Sequence, residues 1–587
     1  MKRSGLLMGA ALALLGLGGG SSLAQPGKPA APAPAPAGKA AAAAPARPGA
    51  APAAEDSGFI ESVTVNVVSV DVFVTDKKTH AYVPGLTRND FELYEDGRPM
   101  AITNFYAVVG GRPTQGAESP PAEAPATAPP IEPGRAPVPE DQRLRLVVYI
   151  DNFNLKPFDR NRVMRNIRVF LDQKLHREDQ VMLVTYDRSL HFRHGFTSDP
   201  ALINNELVEI EKISAQAVHS ESDRREVLRQ IDEAQGPDEA SGYARAYAGS
   251  AYNDLEASVD AMKTVITTLA GIPGRKAVLY VSDGLPMIAG YDVFYAIQEK
   301  FKNRGSTSSL TEMMQYDGSR RFSELASQAN ANRITFYTID AGGLRVYAST
   351  TAENATAGQG VYIDELNIQN MQSPLQMLAE QTGGTAVINA NDVGPSLDRI
   401  AYDFNSFYSL GYTPPHNGDG RYHKITVKLK RKGLELRHRA GYRDKSPETR
   451  MNDGTLAALQ FPFESNPMGA RLEFGTVTRR QDGFYIVPVS IKIPLSKLLL
   501  VPRPNSHEGR VRLFIAAMDQ DGGTSEVQQA PLPISIPLAD LPKIVGKYYT
   551  YQVSLLMRNG AQKVAVGVRD EVASQESFVT GGLRVGT

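Results

Sequence analysis

The chain has 587 residues, of which 42% are hydrophobic, so it is long enough for about three domains with their own cores. Its 63 Lys and Arg residues balance 64 Asp and Glu residues, which gives no electrostatic basis for binding nucleic acid or an anionic membrane surface. The absence of cysteine excludes disulfides, thiolate metal sites and a cysteine nucleophile.

The N-terminal residues have the pattern of an export signal. Lys2 and Arg3 precede an apolar run that ends at Leu17, and Ala24 offers a small residue at a cleavage site. We therefore predict a signal peptide over residues 1–24 and an exported mature chain, periplasmic or secreted; an uncleaved anchor is the alternative. No later segment approaches the roughly 18 continuous apolar residues of a membrane span, so no transmembrane segment is predicted after signal removal.

A tether, a small β unit and a linker are predicted next. Residues 25–54 are mostly Pro and Ala, which favours an extended, disordered tether. Residues 59–109 contain the alternating stretch "VTVNVVSVDVFVTD", and Asp96-Gly97 has the composition of a hairpin turn, so we predict a β unit. Residues 110–140, again rich in Pro and Ala, predict a linker.

Between residues 141 and 415, strand-like and helix-like segments alternate. The stretches "RLRLVVYID", "QVMLVTYD", "KAVLYVSDG" and "ITFYTIDA" predict buried strands, and "DRNRVMRNIRVFLDQKL" places its apolar residues on one helical stripe. This pattern predicts an α/β domain, a mostly parallel sheet with helices on both faces, which "FYSLGYTPP" should close.

The flanking regions predict all-β, sandwich-like domains. Residues 422–443 favour a β hairpin, which we expect to pack with 59–109 because an isolated hairpin is only marginally stable. Residues 455–587 contain short strands separated by turn signals throughout, which predicts a C-terminal β-sandwich.

Two of the predicted buried strands end in an acidic residue, Asp151 and Asp283. Ligands of open α/β sheets bind at the carboxyl ends of the strands, so we expect the two carboxylates to lie close together. Oxygen ligands of this kind would suit a hard divalent cation such as Mg²⁺. The structural alternative is that each acid caps the following helix or holds the following loop.

The strand "RLRLVVYID" with a helix after it, "GRKAVLYVSDG" with a helix before it, and "ITFYTIDA" resemble a von Willebrand factor type A domain. The flanking stretches "VDVFVTD…VPGLTRNDFELYEDG" and "FYSLGYTPP…YHKITVKLKRKGLELRHRAGYR" make the resemblance more specific. Over roughly residues 60–443 the chain resembles the VWFA-related family of exported bacterial proteins, of the acidobacterial type. The resemblance implies a Rossmann-like type A domain and a metal-ion-dependent adhesion site.

The metal site that the resemblance implies is degenerate in this sequence. Its Asp-x-Ser-x-Ser motif corresponds to Asp151 with Phe153 and Leu155 at the two serine positions, and its later acid corresponds to Asp283. Hydrophobic side chains cannot ligate Mg²⁺, so two oxygen ligands are lost, although Asn154 could supply an amide oxygen. We therefore expect Asp151, Asn154 and Asp283 to be the remains of a site that holds no cofactor, with bound Mg²⁺ as the alternative.

These observations predict a non-enzymatic exported protein whose type A-like domain binds another protein. The alternative is a metal-dependent receptor or an envelope enzyme that uses Asp151 and Asp283. Grouped exposed apolar residues usually mark an interaction surface. The candidates on the rim of the sheet are Phe153, Leu155, Phe158, Leu285 and Met287. Phe153 and Leu155 have a second interpretation, in which they fold inward and fill the space of the absent ion.

Overall fold

The computed structural model describes residues 67–115, 143–175, 178–214, 217–302, 307–345, 359–461, 465–543 and 546–586. The predicted signal peptide, the tether and most of the linker lie outside the described residues. The described chain forms an α/β domain and two regions rich in β-strands. None of the helices in this part of the chain has both the length and the apolar character needed to cross a bilayer.

The segment before the α/β domain contributes five described strands. They are β1 (Val68–Asp76), β2 (Phe91–Glu95), β3 (Arg98–Met100), β4 (Asn104–Val109) and β5 (Arg112–Gln115). Asp96 and Gly97 join β2 to β3 with φ angles of 47° and 81°, which confirms the predicted hairpin turn. The linker predicted from residue 110 is wrong at its start, because β5 pairs with β4 and keeps the chain in the sheet through Gln115.

The α/β domain follows as alternating strands and helices. They are β6 (Leu144–Ile150), α1 (Pro157–Lys174), β7 (Gln180–Tyr186), β8 (Leu190–Thr197), α2 (Pro200–Glu211), α3 (Ala217–Glu233), α4 (Pro237–Leu269), β9 (Arg275–Ser282), α5 (Tyr291–Phe301), α6 (Thr307–Met313), α7 (Ser319–Ala331), β10 (Ile334–Asp340), α8 (Gln359–Thr382), β11 (Ala386–Val387) and α9 (Gly394–Asn405). The strand order is β11-β10-β9-β6-β7-β8, and every neighbouring pair is parallel except β7 with β8. The predicted mixed α/β architecture is thereby confirmed.

Helices cover both faces of this sheet. In β6, Leu146, Val148 and Ile150 pack against α1, α2 and α9, whereas Val147 and Tyr149 pack against α4, α7 and α8. A strand buried on both faces needs apolar residues at successive positions, which explains why "LRLVVYI" shows little polar alternation.

The segment after the α/β domain returns to β structure. It contains β12 (Phe407–Tyr412), β13 (Tyr422–Leu429), β14 (Leu434–His438) and β15 (Gly441–Arg443). One sheet has the order β14-β1-β12-β4-β5 and the other has the order β15-β13-β2-β3. The two sheets enclose a common core that includes Val70, Val72, Leu93 and Tyr408. We name this unit the split sandwich, because its strands come from both sides of the α/β domain.

Three predicted boundaries are corrected by these pairings. The domain predicted to run from 141 to 415 ends earlier, because β12 pairs with β1 and β4 instead of joining the parallel sheet. The hairpin predicted at 422–443 is confirmed at its ends, where β13 pairs antiparallel with β15, but β14 between them lies in the other sheet of the split sandwich. The region predicted as β throughout from residue 455 begins inside a helix, α10 (Pro447–Gln460).

The C-terminal region is a second pair of antiparallel sheets. Its strands are β16 (Arg471–Phe474), β17 (Thr478–Arg479), β18 (Tyr485–Pro494), β19 (Val501–Pro502), β20 (Ser506–Asp519), β21 (Gln528–Pro537), β22 (Tyr548–Met557), β23 (Gly560–Asp570) and β24 (Gln575–Val585). One sheet is centred on β18 and the other on β20 and β23, with a shared apolar core. The helix α10 packs Ala458 and Leu459 against β20 and β23, and Ala457 against the core of the α/β domain.

Ion pairs also connect the α/β domain to the split sandwich. The Arg437 guanidinium in β14 contacts both carboxylate oxygens of Asp403 in α9, at 2.8 and 2.9 Å. Arg275 at the start of β9 reaches Asp71 in β1 at 3.0 Å. These contacts fix the split sandwich near the amino end of β9, and the carboxyl ends of the parallel strands point the other way.

Candidate functional site

Three neighbouring parallel strands end in buried acids. Asp151 follows β6, Asp283 follows β9 and Asp340 ends β10, with exposed fractions of 1%, 6% and 0%. Sequence reasoning singled out the first two and missed Asp340, although "ITFYTID" ends in an acid in the same way. Since adjacent parallel strands bring their carboxyl ends together, all three belong to one edge of the sheet.

Asp151 is held by hydrogen bonds from the protein itself. Its Oδ2 accepts bonds from the Tyr280 hydroxyl at 2.5 Å, from Asn154 Nδ2 at 2.9 Å and from Ser282 Oγ at 3.1 Å. Burial raises the pKa of the Asp151 carboxyl, and these donors oppose that rise by stabilising its charged form. The acid therefore organises the loop that follows β6, as the structural alternative expected.

Asp283 is less well satisfied. Its Oδ2 accepts the Lys156 backbone N–H at 2.9 Å, which holds the start of α1. Its Oδ1 is buried without a hydrogen-bond partner among the described residues. Burial raises the pKa of Asp283 to about 7, the Lys156 bond and Arg345 oppose the rise, and repulsion from Asp159 and Asp340 adds to it.

Asp340 is paired with a cation. Arg345 Nη2 lies 2.8 Å from Asp340 Oδ1 and also donates to the backbone oxygen of Asp283 at 2.5 Å. The other Asp340 oxygen accepts from Gln372 Nε2 at 2.7 Å. The guanidinium of Arg345 thus supplies positive charge at the edge of the sheet.

The residues at this edge do not fit a divalent cation. The two serine positions of the metal motif carry Phe153 and Leu155, whose hydrocarbon side chains offer no oxygen ligand. The nearby Arg345 would also repel a second cation. The donor atoms and the charges at this edge of the sheet therefore both disagree with the metal site that the family resemblance implies.

A cleft of about 300 Å³ opens beside these acids. Residues from α3, α4, α8 and the loops after β6 and β9 line it. Its polar lining includes Asn154, Ser220, Asp223, Ser250 and Asp254. The base includes apolar groups from Phe153 and Leu285. This cleft is a concave surface at the carboxyl edge of the sheet, which is where ligands of α/β sheets bind.

The predicted apolar rim is mostly wrong. Phe153, Leu155 and Leu285 are 4%, 0% and 1% exposed, and Met287 is partly buried against the core. The Phe153 backbone N–H donates to the backbone oxygen of Tyr186 in β7, which turns the loop inward. The Phe153 ring packs edge-on against the Tyr186 ring, with the ring centroids 6.2 Å apart. Burial agrees with the second interpretation, in which Phe153 and Leu155 fill space in the domain. Of the predicted rim residues, Phe158 is strongly exposed, at 74%.

No family model and no curated protein matches this chain. Among solved structures, an aerotolerance-related membrane protein from Bacteroides fragilis is 11% identical, with a TM-score of 0.23, over 45% of this chain and 98% of that one. BatB from Bacteroides thetaiotaomicron is 14% identical, with a TM-score of 0.22, over 45% of this chain and 96% of that one. The manganese-loaded TRAP protein of Plasmodium vivax is 8% identical, with a TM-score of 0.22, over 51% and 93% of the two chains. Such low TM-scores carry no argument about function.

Proposed function

We propose that this chain is an exported, non-enzymatic protein that binds another protein through the cleft at the carboxyl edge of its parallel sheet. The observation that carries the proposal is the cleft itself, about 300 Å³ in volume, beside acids whose roles are already structural. The loops at this edge can differ in sequence while the sheet holds them in place, which suits recognition. The proposal of export rests on the signal-peptide pattern of residues 1–24.

The lining of the cleft favours binding over catalysis. Among the described residues that line it there is no histidine, lysine or cysteine to act as a base or nucleophile. Two of its carboxylates are engaged in ion pairs, Asp292 with Arg224 at 2.6 Å and Asp254 with Arg188 at 3.1 Å.

The size and charge of the cleft suggest what part of a partner it would take. A volume of about 300 Å³ is at the lower limit of small-molecule sites and suits one or two protruding side chains of a protein. The exposed carboxylate of Asp223 on α3 favours a hydrogen-bond donor or a cationic group on the partner. Phe158 offers an exposed apolar group at the start of α1 on the same domain.

The experiment is capture of partners from the native envelope by the mature full-length chain. In the test variant, Ser250→Trp, a bulky ring occupies the cleft from an exposed position on α4. In the matched control, Ala246→Trp, the same ring lies one turn earlier on α4, at an exposed position outside the lining. We expect the control to retain the partner and the test variant to lose it. Equal capture by both variants would show that the cleft is not the binding site.

A second measurement concerns the ion. We propose that binding needs no divalent cation, because the acids at the edge do not fit one. The full chain and its Asp151→Ala variant are titrated with Mg²⁺ or Mn²⁺ in a calorimeter. The two proteins should show the same ion binding. Partner capture that disappears in EDTA and returns with Mg²⁺ would instead support the metal-dependent receptor.

A further inference from the structure

Two histidines meet four carboxylates at one end of the split sandwich. The residues are Glu95 at the end of β2, Asp96 after it, His416 and Asp419 in the loop before β13, His423 in β13 and Asp444 after β15. None of them belongs to the cleft or to the acids at the edge of the parallel sheet. Sequence reasoning did not single out this cluster, because it unites segments that are far apart in the chain.

The two ring nitrogens of His416 face two different buried carboxylates. Its Nδ1 lies 2.8 Å from Asp444 Oδ2, and its Nε2 lies 3.3 Å from Glu95 Oε1. That Nε2 is buried and makes no hydrogen bond to any described residue. The Glu95 oxygen accepts hydrogen bonds from the hydroxyls of Tyr412 at 2.8 Å and Tyr442 at 2.7 Å.

His423 also contacts two carboxylates, but both of its ring nitrogens are within hydrogen-bond distance of them. Its Nδ1 lies 2.8 Å from Asp96 Oδ2, and its Nε2 lies 3.2 Å from each carboxylate oxygen of Asp419. Two ligands with bonds of about 2.0–2.1 Å to a tetrahedral zinc ion are about 3.3 Å apart. The 3.3 Å between His416 Nε2 and Glu95 Oε1 matches this separation, whereas the contacts of His423 to Asp96 and to Asp419 are both hydrogen bonds.

We propose that Glu95, His416 and His423 form a binding site for a divalent transition-metal ion of the zinc class. Ligand atoms of Glu95 and the two histidines all lie within 4.8 Å of one another. Imidazole and carboxylate donors suit such ions, and a carboxylate on the second ring nitrogen is the usual support of a metal-binding histidine.

The two rings also constrain how the ion would bind. They are stacked, with centroids 3.8 Å apart and planes inclined by 14°. Stacked rings do not converge on one point, so coordination of one ion by both requires rotation about the side-chain torsions.

The position of the site gives the ion a structural role. Asp96 and His423 are 327 residues apart in the chain, and the whole α/β domain lies between them. An ion held here would join the strands before the insertion to those after it, and closing so long a loop removes conformational freedom from the unfolded chain. This role is independent of the function proposed for the cleft.

The test uses the full chain, freed of metal with EDTA and dialysed, and the probes Zn²⁺ and Co²⁺. We expect equimolar Zn²⁺ to raise the unfolding temperature and Co²⁺ to give visible absorption bands typical of nitrogen and oxygen ligands. His416→Gln and His423→Gln should each weaken Zn²⁺ binding by at least tenfold, and Asp444→Asn by about 10- to 100-fold, through the orientation of His416. The control carries His191→Gln with His194→Gln, two histidines of β8 outside the cluster.

Several results would overturn the proposal. One is wild-type protein whose unfolding temperature and absorption do not respond to Zn²⁺ or Co²⁺. Another is a Zn²⁺ response that the His191 and His194 control loses to the same extent as the cluster variants. If His416→Gln fails to fold, Asp444→Asn, which leaves all proposed ligands in place, still decides the matter by its affinity for Zn²⁺.

Discussion

The buried carboxyl of Asp283 should make the α/β domain less stable as pH rises. Burial raises its pKa from 3.8 to about 7 in the folded protein. Below pH 3.8 both the folded and the unfolded chain carry the proton, and the group contributes no penalty. Between these values the unfolded chain releases the proton while the folded protein keeps it, so stability falls. At about 1.4 kcal/mol for each tenfold change in proton affinity, the full penalty above pH 7 is about 4 kcal/mol.

The substitution Asp283→Asn removes this titration and keeps the shape of the side chain. The amide oxygen of the new residue can still accept the Lys156 N–H that now bonds to Asp283 Oδ2 at 2.9 Å. We therefore expect the variant to exceed the wild type in stability by up to about 4 kcal/mol at pH 8 and by about 1 kcal/mol at pH 4.5. Other acids titrate in both proteins, so their contributions largely cancel in the difference.

Hydrogen exchange of the amides in β9 measures this stability locally, which avoids assuming that a multidomain chain unfolds in one step. The wild type and the variant are compared at pH 4.5, 6 and 8 in the same buffers, so the intrinsic exchange rates cancel. The expected result is a difference in protection that grows with pH. A constant difference, or a variant that is less protected at pH 8, would refute the reasoning about Asp283.

Three further predictions concern packing and strain. The double change Phe153→Ser with Leu155→Ser should lower the free energy of unfolding by ~2–5 kcal/mol, since both side chains are buried. An unchanged midpoint of urea denaturation would contradict the inference that these two side chains fill space in the core. Gly284→Ala should destabilise the loop after β9 by about 1–3 kcal/mol, because φ is +105° and the new Cβ would meet a backbone oxygen at 2.5 Å; an unaltered melting temperature would argue against that strain. Arg437→Met should cost about 3–5 kcal/mol by leaving the buried carboxylate of Asp403 unpaired. Calorimetry of Arg437→Met should show this loss, and a neutral effect would mean that the pair contributes little to holding the two units together.

The amino-acid sequence by itself determined the local character of most elements. The apolar runs that precede Asp151 and Asp283 predicted buried parallel strands, and the helical stripe of "DRNRVMRNIRVFLDQKL" predicted α1, because side-chain periodicity is a property of neighbouring residues. The resemblance to a type A domain, with Phe153 and Leu155 at the two serine positions, predicts a degenerate metal motif, which stays a prediction. The turn at Asp96-Gly97 was also readable, because few residues tolerate its positive φ angles.

Only the tertiary structure decided which strands pair and which side chains are buried. The stretch "FYSLGY" has the apolar character of a sheet strand wherever it pairs, and only its long-range partners assign it to the split sandwich. The direction of Phe153 depends on a loop that is tied back to β7, which its sequence neighbours do not encode. The meeting of Glu95 with His416 arises for the same reason: their contact is created by strand pairing across the inserted domain, and such non-local contacts leave no periodic trace in the sequence.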